Sequence, residues 1–252
     1  MSQKGQNMKF SVCIDAVFGG DFACGVPAAK RAGAAAVECW KLGDRDPQKV
    51  MEQLDGLPLA AFCTTFFDLT DPNSRQTYLE HLGKTLETAK LLDCRRLITQ
   101  VGNDTGAPRE KQHESIVAGL RAAAPMLEGA GVTLLVEPLN LTVNHPGYYL
   151  SSSAEAFAMI DEVGSPNIRV LFDIYHQQIT EGDILRHLLP NLEKVGHLHA
   201  AGSCGRHELS DGELNYPYIF AALDEAGYDG YCGLEYFPQE APEKGLREAI
   251  QK

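Results

Sequence analysis

The chain has 252 residues, with 34 acidic residues against 22 Lys and Arg and a formal net charge of -12 at pH 7. Nucleic-acid-binding proteins owe most of their affinity to cations that neutralise phosphates, so this charge balance argues against a nucleic-acid partner and against an anionic membrane surface. An apolar content of 44% with 22% charged residues is ordinary for a globular protein. An anionic small substrate is not excluded, because a local divalent cation can outweigh the overall field.

The hydropathy of the chain, its first residues and its cysteines predict where the protein resides. No apolar stretch approaches the ~20 residues of a membrane span, and no signal peptide is visible, so we expect a cytoplasmic protein. We interpret residues 1–8 as a flexible N-terminal tip and place the fold in residues 9–252. The seven cysteines are an odd number without a CxxC pair, which favours a reduced setting. Those within predicted strands are small core residues: Cys13, Cys39, Cys63 and Cys232.

Short apolar runs alternate with stretches long enough for helices along the whole chain. Strands are predicted at residues 10–14, 35–39, 58–63, 96–100, 133–137, 168–173, 195–199 and 231–235. Helices of the first half are predicted at residues 21–32, 47–54, 71–92 and 110–129. Continuous apolar runs are typical of parallel strands covered on both faces, and alternating β and α units indicate a parallel sheet. Eight such units, in a chain close to the roughly 250 residues usual for this fold, predict a single-domain (β/α)8 TIM barrel of the α/β class. No GxGxxG follows the first strand, so no nucleotide cofactor is expected.

Four successive strands of the second half end at a residue that can bind a hard metal ion. These residues are Glu137, Asp173, His199 and Glu235. The active site of such a barrel lies at the carboxyl ends of its strands, which are ~4.8 Å apart, so the four side chains can converge on one ion. Alternatively, each acid pairs with Arg or Lys or faces solvent where its strand emerges. Three carboxylates with one imidazole and no thiolate favour Mn²⁺ or Mg²⁺, with Co²⁺ as a possible substitute.

Three residues near this set are candidates for substrate contact. His176 follows Asp173 by three residues, so the turn lets it lean over the same rim; otherwise it is a satisfied loop histidine. Arg206 and His207 lie on the glycine-containing loop after His199. The planar guanidinium of Arg206 suits a substrate carboxylate or hydroxyl, unless it belongs to a solvated loop.

Most other positions near the predicted site allow two interpretations. Trp40, the single tryptophan, either forms a wall of the substrate pocket or packs in the core. Glu38 either hydrogen-bonds beneath the metal or faces a crossover, and Lys41 either touches substrate or belongs to the surface. His197 shares a strand face with the metal-binding histidine two residues later, and we interpret it as structural. The 145–149 loop is either a lid or a dimer contact.

Several motifs along the chain form an ordered set. They are Glu137-Pro-Leu-Asn140, Pro146-Gly-Tyr148, Asp173-Ile-Tyr-His176-Gln177, Gly196-His-Leu-His199, Gly205-Arg206-His-Glu208, Gly212-Glu-Leu-Asn-Tyr216 and Gly233-Leu-Glu235-Tyr236. Together they resemble the hydroxypyruvate isomerase family of the xylose isomerase-like TIM barrels, which also include ketose 3-epimerases and inosose dehydratases. The resemblance covers essentially the whole domain and is stronger from residue 130 onward.

The resemblance implies roles for individual residues. Glu137, Asp173, His199 and Glu235 match the metal ligands, the two glutamates match the acid/base pair, and His176 and Arg206 match substrate-contacting positions. It also implies a homo-oligomer. One departure is that hydroxypyruvate isomerases often carry glutamine at the position of His199, a histidine shared instead with the ketose epimerases. The early loops also differ from that branch.

The function that the resemblance implies is isomerisation of a small hydroxy-ketone or hydroxy-aldehyde, of the hydroxypyruvate to tartronate semialdehyde type. Proton transfer would pass through a metal-held cis-enediolate, with the two glutamates as acid and base. Ketose 3-epimerisation, of the D-tagatose or D-psicose type, and dehydration of a keto-inositol are alternatives at the same site. A non-catalytic binding protein would be expected to lack a ligand or an acid/base residue, and none is missing. An endonuclease is disfavoured by the charge and by the absence of ligands for a metal cluster.

Overall fold

A computed structural model describes residues 8–43 and 45–251 of the chain. Residues 1–7 of the predicted flexible tip lie outside the described residues. Met8, the last residue assigned to that tip, is buried in the hydrophobic core together with Phe10 of the first strand.

Eight parallel strands form a closed barrel in chain order, as the apolar runs predict. The strands are β1 (Lys9–Cys13), β2 (Ala36–Cys39), β3 (Leu59–Cys63), β4 (Arg96–Thr99), β5 (Thr133–Val136), β6 (Ile168–Asp173), β7 (Val195–Ala200) and β8 (Tyr231–Leu234). The barrel closes where β1 pairs with β8, with Ser11 opposite Gly233. The predicted α/β fold, a (β/α)8 TIM barrel, is therefore confirmed.

Helices occupy the connections between the strands. Within the described residues they are α1 (Ile14–Phe18), α2 (Phe22–Ala32), α3 (Pro47–Leu54), α4 (Arg75–Leu91), α5 (Arg109–Ala130), α6 (Ser153–Val163), α7 (Ile174–Thr180), α8 (Ile184–Leu188), α9 (Tyr216–Glu225) and α10 (Pro242–Ile250), with 3-10 helices at Pro72–Ser74 and Leu189–Lys194. Their ends follow local chemistry: the Asp21 carboxylate accepts from the backbone N–H of Cys24 at 3.1 Å, and Gly33 ends α2 in the left-handed region.

The first strand begins and ends one residue earlier than predicted. Ile14 was assigned to the strand, but the chain turns into α1 there and the apolar side chain stays buried in the helix. Burial alone cannot distinguish a strand end from a helix start, which explains the error. The turn also positions a polar group, because the Asp15 carboxylate accepts from the backbone N–H of Trp40 at 2.8 Å.

Hydrophobic residues pack against both faces of the barrel strands. A small interior cluster consists of Ala61, Ile98, Leu135 and Leu171, with Cys63 packed against it. A much larger cluster lies between the strands and the helices. All seven cysteines are free. Within the described part of the chain, no helix combines the length and the apolar character that a membrane crossing requires.

Candidate active site

The structure brings the four predicted metal ligands together at the carboxyl ends of β5 to β8. Glu137 and Glu235 follow β5 and β8, Asp173 ends β6, and His199 lies in β7 directly opposite Asp173. All four are buried. One ligand-type atom from each lies within 4.8 Å of the others. His199 Nδ1 is 3.1 Å from Glu235 Oε2 and 3.8 Å from Glu137 Oε1.

The electrostatics of this cluster fit a divalent cation. Burial raises the pKa of the Glu137 carboxyl to about 8, and the carboxylates of Glu235 and Asp173 add to the increase. His199 Nδ1 is buried without a hydrogen-bond partner, although it faces two carboxylates. Three carboxylates and one imidazole nitrogen could hold a divalent metal ion, and such an ion would offset the cost of burying like charges.

Glu235 accepts hydrogen bonds on both carboxylate oxygens, whereas Glu137 accepts one on Oε2 from Gln100. Arg206 donates to one of the Glu235 oxygens and the indole N–H of Trp40 donates to the other. Burial raises the pKa of Glu235, but the charges of Arg206 and His199 outweigh it and hold that pKa well below the usual value. Two neighbouring glutamates thus have opposite proton affinities, which is the arrangement that acid/base chemistry requires.

Arg206 reaches the carboxylate cluster from its loop. The side chain is 8% exposed, and its Nη2 lies 3.5 Å from Asp173 Oδ2. The guanidinium carbon lies 5.2 Å from the ring centre of Tyr175. The backbone of Arg206 is left-handed, with φ of 60°, and it follows Gly205 with φ of 115°. This turn directs the guanidinium inward.

His176 lies next to the cluster as a neutral hydrogen-bond donor. The backbone N–H of Asn140 donates to His176 Nδ1 at 3.3 Å, and the side-chain amide of Asn140 lies 2.6 Å from the same atom. Because a backbone N–H can only donate, Nδ1 accepts and the proton resides on Nε2. Nε2 is buried without a hydrogen-bond partner, 3.5 Å from Asp173 Oδ2. Burial lowers the pKa of His176 to about 4, so the ring is neutral at pH 7.

The two remaining predicted substrate contacts have different placements. Trp40 is 37% exposed and lines the cavity above the cluster. His207 lies outside the described lining of that cavity and donates from Nδ1 to the Phe237 carbonyl at 2.9 Å. Adjacent residues on this tight turn point in different directions, so Arg206 and His207 do not share a site.

Sequence reasoning missed two residues of the site and left a third open. Gln100 Nε2 donates to Glu137 Oε2 at 3.2 Å, and its position at the end of a predicted strand was an available signal. Asn140, which orients His176, belongs to the Glu137-Pro-Leu-Asn140 motif but was not predicted as a site residue. Glu38 lies beneath His199, with 2.8 Å between Glu38 Oε1 and His199 Nε2.

The 145–149 loop packs against the rim of the site. The His145 ring lies 5.3 Å from that of His176. The Tyr148 hydroxyl donates to the Glu137 carbonyl at 3.0 Å and accepts from the backbone N–H of Val101 at 2.9 Å. The loop therefore holds the backbone at the end of β5.

Comparisons with known proteins agree with this arrangement. A family model described as xylose isomerase-like TIM barrel matches residues 26–252. The 2-oxo-tetronate isomerase of Cupriavidus necator is 38% identical over 176 residues, covering 69% of this chain and 67% of the relative. The hydroxypyruvate isomerase of Escherichia coli is 34% identical over 177 residues, covering 70% and 68%.

Solved structures give the same fold. A Brucella melitensis protein described as an AP endonuclease, family 2, has a TM-score of 0.90 at 31% identity and covers 95% of this chain and 96% of that one. The D-psicose 3-epimerase of Clostridium cellulolyticum H10 has a TM-score of 0.83 at 18% identity, covering 97% of each chain, and shares the fold. The family model and the two curated isomerases show that the chain belongs to the xylose isomerase-like TIM barrel family, in the branch of the hydroxypyruvate isomerases.

Proposed function

We propose that this isomerase interconverts a small anionic hydroxy-ketone and its hydroxy-aldehyde isomer, of the hydroxypyruvate to tartronate semialdehyde type. Glu137 and Glu235 form the acid/base pair. The observation that carries the proposal is the opposite environment of these two buried carboxylates on either side of His199. The curated relatives named as isomerases support the same reaction type.

One divalent ion, Mn²⁺ or Mg²⁺, would be held by Glu137, Asp173, His199 and Glu235. When bound, it supplies Lewis acidity that makes the hydrogen on the carbon next to a carbonyl more acidic and stabilises negative charge on oxygen. A glutamate can use one oxygen as a ligand and the other for a proton.

The residues of the chain divide the proton transfers between them. Glu235, ionised and fixed by Arg206 and Trp40, removes the proton from the hydroxymethyl carbon of the substrate. Glu137 takes up a proton from solvent on the oxygen that is not a ligand and returns it to the neighbouring carbon, while Glu235 releases its proton to solvent, so both carboxylates recover their starting state. The Nε2–H of His176 donates to the oxygen on which negative charge develops and guides the hydroxyl proton from one oxygen to the other.

Proton NMR in D₂O tests this proposal. Mn²⁺-loaded enzyme is mixed in turn with hydroxypyruvate, a four-carbon 2-oxo acid, a free ketohexose and an inosose, then diluted or stripped of Mn²⁺ for the spectra. Enzyme treated with EDTA serves as control. Metal-dependent deuterium uptake next to the carbonyl of a 2-oxo acid is expected. Absence of exchange with every compound, despite stoichiometric bound metal, would refute the isomerase proposal.

The charge of the cavity walls favours an anionic substrate over a neutral ketose. The cavity has a volume of about 1150 Å³. Apart from Glu137, Glu235 and the histidines, the ionisable acidic and basic side chains among its described lining are the lysines and arginines Lys41, Arg45, Lys84 and Arg206. In a chain with a net charge of -12 this is a local reversal of sign. Arg45 is held by backbone carbonyls and Arg206 by the cluster, which leaves the two lysines for substrate.

Lys84→Met is expected to raise the KM for anionic substrates by up to roughly fivefold. An exposed ion pair contributes at most about 1 kcal/mol, and losing that free energy weakens binding by this factor. KM for a neutral ketohexose should not change, because methionine keeps the aliphatic stem and removes only the charge. Lys90→Met, on the same helix α4, is the matched control. Initial rates with both substrate types check the prediction. Equal effects of Lys84→Met on both would contradict an electrostatic role, and preferential turnover of the neutral ketose would favour the epimerase alternative.

His176→Ala is expected to lower kcat by about 10²–10³-fold, as loss of one donor to a developing oxyanion does. KM should change little, because the donor acts mainly on charge that develops in the transition state. His113→Ala on α5, whose imidazole pairs with Glu162 at 2.8 Å, is the control for loss of a histidine elsewhere. Steady-state kinetics separate the two parameters. A rise in KM at unchanged kcat would assign His176 to substrate binding alone.

A further inference from the structure

A second buried cluster lies directly beneath the proposed metal site. Its centre is the Glu38 carboxylate on β2, which is 1% exposed. Ser11 Oγ donates to Glu38 Oε2 at 2.8 Å, and His197 Nε2 lies 2.8 Å from the same oxygen. His199 Nε2 lies 2.8 Å from the other oxygen, Glu38 Oε1. Ser11 and His197 therefore hydrogen-bond one oxygen of this carboxylate in the interior of the barrel, and His199 lies at ion-pair distance from the other.

The chemistry of these contacts fixes the protons. A buried carboxylate is stable only when it is compensated, and here the Ser11 hydroxyl donates to Glu38 while the Nε2 atoms of His197 and His199 each lie 2.8 Å from one of its oxygens. An ionised carboxylate only accepts hydrogen bonds, so each imidazole must carry its proton on Nε2. The Nδ1 lone pair of a neutral His199 then faces Glu137 and Glu235, on the side of the proposed ion.

The barrel backbone is arranged around this contact. Gly233 on β8 is paired with both Ser11 on β1 and His199 on β7. A Cβ atom at position 233 would overlap Glu38 Oε1 and lie 2.7 Å from His199 Cδ2. Only glycine leaves room for Glu38 to reach His199 across the floor of the site.

We propose that Glu38 is a positioning residue that fixes His199 in the tautomer with the proton on Nε2, so that Nδ1 is presented to the divalent ion. Ser11 and His197 hold the Glu38 carboxylate in place. The inference rests on the metal site of the proposed function and deepens it. Partners of this kind, which hydrogen-bond to the second nitrogen of a metal-binding histidine, orient the ring and raise its basicity.

The same three residues, Glu38, His197 and His199, also form a group whose ligand-type atoms could hold an ion of their own. His197 makes an ordinary hydrogen bond of 2.8 Å to Glu38, and His199 Nε2 lies at the same distance from the other carboxylate oxygen, within direct contact of the carboxylate, which favours the positioning role. Binding of two ions per chain, with the second lost in Glu38→Gln, would overturn the proposal.

The tautomer can be read in the wild-type protein, without a variant. Long-range ¹H–¹⁵N correlation spectra are recorded on Zn²⁺-loaded protein labelled with ¹⁵N-histidine, since Zn²⁺ is diamagnetic. His199 is expected to show a protonated Nε2, with its proton shifted downfield by the carboxylate, and a metal-bound Nδ1. A protonated Nδ1 with Nε2 as the ligand would overturn the proposal.

Metal affinity gives a second readout that is independent of activity. Metal-free protein is titrated with Mn²⁺, and binding is followed by the fluorescence of Trp40, the single tryptophan, which donates to Glu235. Glu38→Gln is expected to weaken binding by about 10–100-fold, and Ser11→Ala, which removes one of the two hydrogen bonds that hold the Glu38 carboxylate, by less. Exposed Glu52→Gln on α3 is the matched control. Thermal unfolding of the metal-free variants checks that each is folded.

The outcomes separate this inference from the proposed function. If wild-type protein binds one ion and catalyses exchange, but Glu38→Gln keeps wild-type affinity and an unchanged His199 Nε2–H signal, only the positioning role fails. If wild-type protein binds no divalent ion, the proposed metal-dependent function fails with it. A folded Glu38→Gln protein with weak metal binding and an upfield shift of that proton supports the proposal.

Discussion

Glu235→Gln and Glu137→Gln are each expected to lower kcat by at least about 10²–10⁴-fold, the usual contribution of a general acid or base. Glutamine keeps the shape of the side chain and can still hydrogen-bond, but it cannot carry the transferred proton. Both residues are buried between hydrogen-bonding groups, so the amide replaces the carboxylate with little change in packing. Loss of one carboxylate ligand would add to the decrease through weaker metal binding.

The two variants should also differ from each other. Glu235 is the ionised member of the pair, so Glu137→Gln is expected to retain deuterium exchange at the hydroxymethyl carbon while forming no product. Glu235→Gln should lose both exchange and product. NMR in D₂O measures the two reactions in one sample, with Glu87→Gln, an exposed acid on α4, as control. Exchange lost in Glu137→Gln but kept in Glu235→Gln would reverse the two roles, and full activity in both variants would remove the acid/base assignment.

Chelation with EDTA is expected to abolish turnover, and metal affinity is expected to rise steeply with pH. The pKa of Glu137 is raised to about 8, so its carboxyl is protonated at pH 7 in the metal-free protein. Burial lowers the pKa of His199, but Glu235 and Glu38 outweigh burial and raise that pKa well above its usual value. A bound ion must therefore displace one proton from each residue, and each displaced proton changes the affinity about tenfold per pH unit.

The direction of this pH dependence follows from competition between protons and the metal ion for the same ligand atoms. Below pH 8 the affinity should increase by about 100-fold per pH unit, and above pH 8 the dependence should fall to about tenfold, because Glu137 has then lost its proton. Isothermal titration in buffers of different ionisation enthalpy counts the released protons. Two protons are expected at pH 7 in the wild type and one in Glu137→Gln. A pH-independent affinity between pH 6 and 8 would contradict the ligand assignment.

Much of the architecture can be predicted from the sequence, because strands buried on both faces require apolar runs. All eight strands were found in this way, with errors confined to single residues at their ends, as at Ile14 and Ala35. The predicted ligands could be identified for a related reason: the direction of a parallel strand determines which of its ends faces the active site. Glu137 and Glu235 each follow such a strand by one residue.

The surroundings of those ligands could not be predicted in the same way, because they depend on contacts between distant strands and on side-chain directions in loops. Glu38 and His197 are 159 residues apart in the chain and meet only because the barrel closes. Arg206 and His207 are neighbours in sequence, yet a left-handed backbone turns one inward and leaves the other on the Phe237 carbonyl. The sequence by itself therefore determined the barrel and the set of candidate ligands, through apolar periodicity and chain direction. The tertiary structure alone decided the proton affinities of the two glutamates and the partner of His199, because burial and proximity across the barrel are properties of the closed fold.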